Sequence, residues 1–271
     1  MEMGKDRHEE ALARIARFRV MDDTFMRQVF RDDAPLTQRM LRTLTGRRDL
    51  VVVESGTQRD LKSMAGSRSV VLDVWARDAA GALHDLEVQR ATTVDARRLR
   101  FHSAAMDVDF MRPRTPFSAL PEQWVIMVIE RDARGGATGR RTFENRDADG
   151  NLLGDGCRKV VVDGSYRGDD ELGRLMADFC ESDPARIHDG MLHERVQWLK
   201  DSEEGVSHMC EIMEEALAQE RRETRYLATL AHARSAMAQV GCSAERALEI
   251  LGVAREEWGI YLPELRAQPV A

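Results

Sequence analysis

The amino-acid sequence predicts an α/β protein: a mixed β-sheet flanked by helices, with a further helical extension at its C-terminal end. Three observations carry this expectation. Apolar residues recur at helical spacing as far as Gly46, short β-branched runs take over between Leu50 and Asp163, and helical patterning returns from Asp169 onward.

Residues 6–20 read as a helix whose apolar face is Ala11, Leu12, Ile15, Ala16 and Phe18. Asp22 or Asp23 caps a second helix, with Phe25, Met26, Val29 and Phe30 on its inner side. Pro35 suits the first turn of a third helix, which Gly46 stops. Three strand-like runs follow: Leu50–Val53, Ser69–Trp75 and Leu83–Gln89. Gly81 in the turn between the last two makes them a β-hairpin. Residues 93–111 return to helix. Trp124–Ile129 is apolar throughout, as befits a strand buried on both faces. Residues 131–156 have loop composition around a weak strand at 141–143, and Lys159–Asp163 is the last strand. A charged helix over about 203–239, a short one at 244–251 and another at 254–262 complete the chain. Residues 1–200 are thus expected to form the α/β domain with its N-terminal helices. Residues 201–271 form a helical extension ending in a small helix-turn-helix-like unit, whose second helix opens Arg255-Glu256-Glu257. That start is poor for phosphate contact and favours a packing or protein-contact role.

Composition narrows the function classes. With 43% hydrophobic and 32% charged residues the chain is a soluble globular type. No apolar run approaches the roughly 20 residues of a membrane span, and the charged N-terminus lacks the core of a secretion signal, so a cytoplasmic location is expected. Cys157, Cys180, Cys210 and Cys242 lie too far apart for a structural zinc site. The net charge of −7 is concentrated in seven acidic residues within 201–220, which leaves the remainder neutral. Residues 90–114 hold six arginines against three aspartates, a basic strip open to a polyanion.

The chemistry centres on Asp73, an acid in the middle of an otherwise apolar strand. Burying such a carboxylate is costly unless it is paired or binds a metal. Fourteen residues later Glu87 and Gln89 share one face of the partner strand, and a hairpin of this length can bring Asp73 beside them. Two carboxylates with a nearby oxygen, such as the Val88 carbonyl, suit a hard divalent ion like Mg²⁺, with Gln89 orienting water or phosphate. The competing reading puts Glu87 and Gln89 on a solvated face and pairs Asp73 with an arginine.

The wider sequence resembles the PD-(D/E)XK nuclease superfamily, and within it the group called recombination-promoting nuclease (Rpn) or PD-(D/E)XK nuclease family transposase. The likeness runs from about residue 18 to 215. It is carried by Met21–Phe30, by Ser69-Val-Val-Leu-Asp73 with Leu86-Glu-Val-Gln89, and by Arg97-Arg-Leu-Arg-Phe-His-Ser103. Leu120–Ile126, Val162–Gly168, Leu172–Phe179 and Glu204–Cys210 continue it in order. The resemblance implies a restriction-endonuclease-like fold and an endonuclease acting on DNA with Mg²⁺, for which Mn²⁺ substitutes. It implies Asp73 and Glu87 as ligands, with Gln89 standing where the superfamily has lysine. That exchange removes a charge able to stabilise a phosphorane-like transition state. The helix arginines Arg97, Arg98 and Arg100 are the expected DNA contacts. Asp23 matches an acidic position of the family, either a third metal carboxylate or a plain N-cap. His102 departs from the family's polar aromatic; it either protonates a leaving group or is packed in the core.

The expected function is therefore a Mg²⁺-dependent DNA endonuclease that promotes recombination or belongs to a mobile element, without organic cofactor or membrane partner. A homodimer is one expected arrangement, since cutting both strands takes two centres. The alternative is a weak or inactive nuclease-fold protein that binds DNA or a protein partner; strand joining is a third class that nothing in these residues indicates. Asp147–Asn151 lacks the glycine and glutamate positions of a calcium loop. Arg134–Gly139 lacks the strand-to-helix setting of a phosphate loop.

Overall fold

A computed structural model describes residues 2–61, 70–134 and 138–267. Ser69, at the head of the second expected strand, and the middle of the glycine-rich stretch 134–139 lie outside the described residues. Helices α1 (Glu2–Arg17), α2 (Asp23–Phe30) and α3 (Ala34–Thr45) come first. Strands β1 (Val52–Leu61), β2 (Val70–Asp78) and β3 (Leu83–Gln89) follow, then α4 (Ala96–Phe110), β4 (Gln123–Ile129), β5 (Arg140–Phe143) and β6 (Cys157–Asp163). The chain ends in α5 (Glu171–Cys180), α6 (Gly190–Asp201), α7 (Glu203–Val240), α8 (Ala244–Ile250) and α9 (Trp258–Arg266).

The six strands form a mixed sheet in the order β1-β2-β3-β4-β6-β5. The β1–β2 and β2–β3 pairs are antiparallel, β3–β4 and β4–β6 are parallel, and β5 returns antiparallel along β6. Parallel β3 and β4 need a crossover, and α4 supplies it. Every residue of β4 is buried. Its Val125, Met127 and Ile129 meet Leu99 and Met106 of α4 in one core, together with Leu72 and Val161. Ile126 and Val128 point the other way and are just as buried, so both faces of the sheet are covered.

The apolar faces expected of α2 and α3 are the ones that pack. Phe25, Met26, Val29 and Phe30 of α2 are fully buried, and Gly46 closes α3 with φ 77°. The first helix ends three residues before its expected boundary, because the chain turns there to stack Phe18 on Phe25 at 5.6 Å. The first strand is longer than Leu50–Val53 and runs to Leu61. Its Glu54–Asp60 stretch is polar because it is a largely exposed sheet edge, and that polarity hid it. Helix α6 ties down the C-terminal end of α2 and, separately, the C-terminal end of α1. Arg195 donates to the carbonyls of Gln28, Val29 and Arg31, and the buried Lys200 ammonium donates to those of Ala16, Phe18 and Ser182.

Gly173 in α5 is a point of close approach. A Cβ there would lie 1.9 Å from the Gly168 carbonyl oxygen, at the turn leading into the helix. Gly173→Ala is expected to destabilise the protein by about 1–3 kcal/mol through overpacking. Thermal denaturation followed by circular dichroism would register this as a fall of several degrees.

The chain separates into two compact units, one ending at Val206 and the other beginning at Ser207. In the second, Leu230 and Ala233 of α7 pack with Ala247 and Leu248 of α8 and Tyr261 and Leu265 of α9. Residues 254–257 do not open the final helix as expected. Arg255–Glu257 winds as a 3-10 turn, and α9 starts at Trp258, whose indole donates to the Val253 carbonyl at 2.9 Å. Among the described residues no helix is long and apolar enough to cross a membrane.

Candidate metal centre

The hairpin register runs Arg77↔Leu83 to Val74↔Leu86, and one further step sets Asp73 across from Glu87. There the ladder changes character: the Asp73 amide donates to the Glu87 carboxylate at 3.1 Å. Along β3, Asp85 and Glu87 lie two residues apart and so face the same side, toward α4. From α4, Arg98 and His102 lie one turn apart on a shared face. Arg98 donates to Glu87 at 2.8 Å, and His102 Nδ1 lies 2.8 Å from Asp85 and 3.8 Å from Glu87. From α2, Arg27 stands 3.8 Å from Asp73 and donates to Asp23 at 3.0 Å.

Asp85 is wholly buried, Glu87 nearly so, and Asp73 is 9% exposed. Desolvation is the largest influence on all three acids and favours their protonated forms. With the Glu87 and Asp23 carboxylates adding repulsion, it pushes Asp73 up to about 8. Asp85 is likewise pushed up to about 8, by burial and then by Asp73. Burial and Asp85 push Glu87 up to about 7, against the opposing pull of His102 and Arg98. His102 is lowered, chiefly by its own burial, against the opposing pull of Glu87 and Asp73. Four carboxylates (Asp23, Asp73, Asp85, Glu87) face two guanidiniums (Arg27, Arg98), a surplus of two negative charges when all are ionised.

These groups fit a divalent cation. Ligand atoms of Asp85, Glu87 and His102 lie within 4.8 Å of one another, and Asp85 Oδ1 is buried without a hydrogen-bond partner among the described residues. An orphaned carboxylate oxygen is expensive unless something positive answers it. The donor set of two carboxylates and an imidazole suits Mn²⁺ as well as Mg²⁺.

No family model, curated protein or solved structure matches the chain significantly.

Of the residues singled out from the sequence, Asp73 and Glu87 adjoin, and Asp23 stands at the edge of the cluster through Arg27. Gln89 closes β3; its backbone carbonyl accepts from Glu130 and Ala91, and its amide makes no hydrogen bond among the described residues. Arg97, Arg98 and Arg100 are all exposed, and of the three Arg98 reaches the cluster, at Glu87. Asp85 was not singled out from the sequence, although the alternation that joined Glu87 to Gln89 puts Asp85 on their face as well. His102 had been weighed as a proton donor or a packed residue. Nothing in its local sequence shows that the crossover helix lays it on Asp85.

Proposed function

We propose that the chain is a divalent-metal-dependent endonuclease acting on DNA, and that its mixed sheet is a restriction-endonuclease-like core. The observation that carries this reading is the convergence of three buried carboxylates, Asp73, Asp85 and Glu87, with one oxygen of Asp85 unpartnered. Asp85, Glu87 and His102 would hold the ion, and Asp73 would complete the acidic wall. A bound Mg²⁺ or Mn²⁺ supplies Lewis-acid stabilisation of charge developing on a phosphodiester. The chain's own contribution is positive charge and proton handling. Arg27 and Arg98 flank the carboxylates where the lysine of the resembled family is missing, and they offset charge that Gln89 cannot. Asp73, raised to about 8 beside the site, is the group placed to accept or give up a proton. Arg97 and Arg100, exposed on the same helix, would contact phosphates with salt-dependent, largely sequence-independent affinity.

The test is plasmid nicking with Mg²⁺ and with EDTA. Conversion of supercoiled to open-circular DNA only in the metal supports the reading, and equal conversion under both conditions removes it.

One observation favours a second reading, a nuclease-fold protein that binds without cutting. Arg98 already occupies Glu87 and His102 already occupies Asp85, so two of the acids are internally answered. Titration calorimetry separates the two: no heat at millimolar Mg²⁺ or Mn²⁺ supports the silent protein. If the ion binds, His102→Asn is expected to weaken Mn²⁺ about ten- to a hundredfold and Mg²⁺ less, because imidazole suits the former better.

A further inference from the structure

A cavity of about 250 Å³ lies on the other flank of α4, among the helix's first turns, β5 and β6. Its inner surface is apolar, from Val94, Leu99 and Val161, and Phe143 stands at its mouth 43% exposed. Thr93 and Val94 follow the carboxyl end of β3, while Asp132 and Arg134 follow that of β4. The carboxyl ends of parallel strands are where open α/β sheets leave a binding crevice.

Among the described residues neither Lys159 nor Arg134 has an ion-pair partner; the Lys159 ammonium instead donates to Cys157 Sγ at 2.9 Å. Arg141 pairs with Asp132, and its guanidinium lies 5.4 Å from the centre of the Phe143 ring. An apolar slot with an aromatic ring at its lip and, at its rim, Lys159 and Arg134 without a carboxylate in ion-pair contact is the chemistry of a base flanked by phosphates. The volume falls below the roughly 300–1,000 Å³ of drug-sized pockets, so it admits one ring system rather than an extended ligand. Leu99 lines this cavity while its neighbour Arg98 pairs with Glu87, so a single helix turn serves both places.

We propose that this cavity receives one unstacked nucleobase of single-stranded DNA, making single-stranded or locally opened DNA the preferred substrate. The proposal rests on the nuclease reading for its partner and adds the form that partner takes. A base inside a duplex cannot enter such a slot without being extruded, and extrusion opposes binding.

The test uses the full chain in EDTA with a short single-stranded oligonucleotide carrying 2-aminopurine, compared with the same strand in a duplex. The expected results are a saturable change in 2-aminopurine fluorescence and about tenfold tighter binding of the single strand. Ala96→Trp, which plugs the mouth from an exposed helix position, is expected to erase that preference. Phe143→Ala and Lys159→Gln should each weaken the single strand severalfold, with unchanged circular dichroism. Unchanged fluorescence at saturation, or an Ala96→Trp variant with full preference, overturns the proposal. The two readings fail separately in Mg²⁺. Loss of cutting with the preference intact refutes only the nuclease, whereas cutting without any preference refutes only the base slot.

Discussion

Glu87→Gln is expected to lower metal-dependent DNA cleavage roughly a thousandfold or more, since the charge-stabilising part of a site commonly contributes on that order. Glu87 stands at the middle of the constellation: it accepts from the Asp73 amide and from Arg98, and it adjoins His102. Asp73→Ala and Asp85→Asn should fall comparably. Asp85→Asn also distinguishes a functional acid from a structural one. Its carboxylate is held unfavourably by burial and by Asp73, so the amide should make the metal-free protein more stable at pH 8 while removing activity. Thermal melts beside nicking rates measure both. Full cleavage by all three variants would remove the residue assignment, and a large fall in melting temperature for Asp85→Asn would mark that acid as structural.

The second large effect is the response to pH and metal together. The folded values of about 8, 8 and 7 for Asp73, Asp85 and Glu87 lie above the ordinary carboxylate range near 4. The folded state therefore binds more protons than the unfolded one across this interval. By linkage, stability is fully present below about pH 4 and is lost as pH rises through 7 to 8, as far as these groups are concerned. A divalent ion opposes that loss by answering the ionised forms, and it competes with protons at low pH. Saturation at a hundred times the dissociation constant adds about 2.7 kcal/mol, or several degrees in a protein of this size. Melts with and without Mn²⁺ should thus diverge at pH 8 and coincide near pH 5. Equal divergence at both values would rule out carboxylates as the ligands.

Much of the frame is legible in the sequence because it is local. The Leu83–Gln89 strand, the Gly81 turn and the unbroken apolar run of β4 each announce themselves through periodicity or turn chemistry. An acid standing alone in Val70–Trp75 drew notice to Asp73 for the same reason. What stayed hidden depends on packing over distance. Arg27 reaches Asp73 across 46 residues, and Arg98 reaches Glu87 only because the start of the crossover helix folds back on β3; neither contact leaves a mark on a sequence window. The edge strand β1 was hidden by its own exposure, since a polar run carries no inward face to read. The base slot has no contiguous signature because its walls come from four separate segments.

The hold that α6 has on the ends of α1 and α2 has a consequence for how the molecule is made. Lys200 meets Ala16 across 184 residues, and Arg195 meets Val29 across 166. A chain emerging from the ribosome would present α1 and α2, with Asp23 and Arg27, long before the residues that hold their C-terminal ends exist. The packing of α1 and α2 therefore settles only late in synthesis, and a nascent chain stopped short of residue 195 lacks both cations that hold these ends.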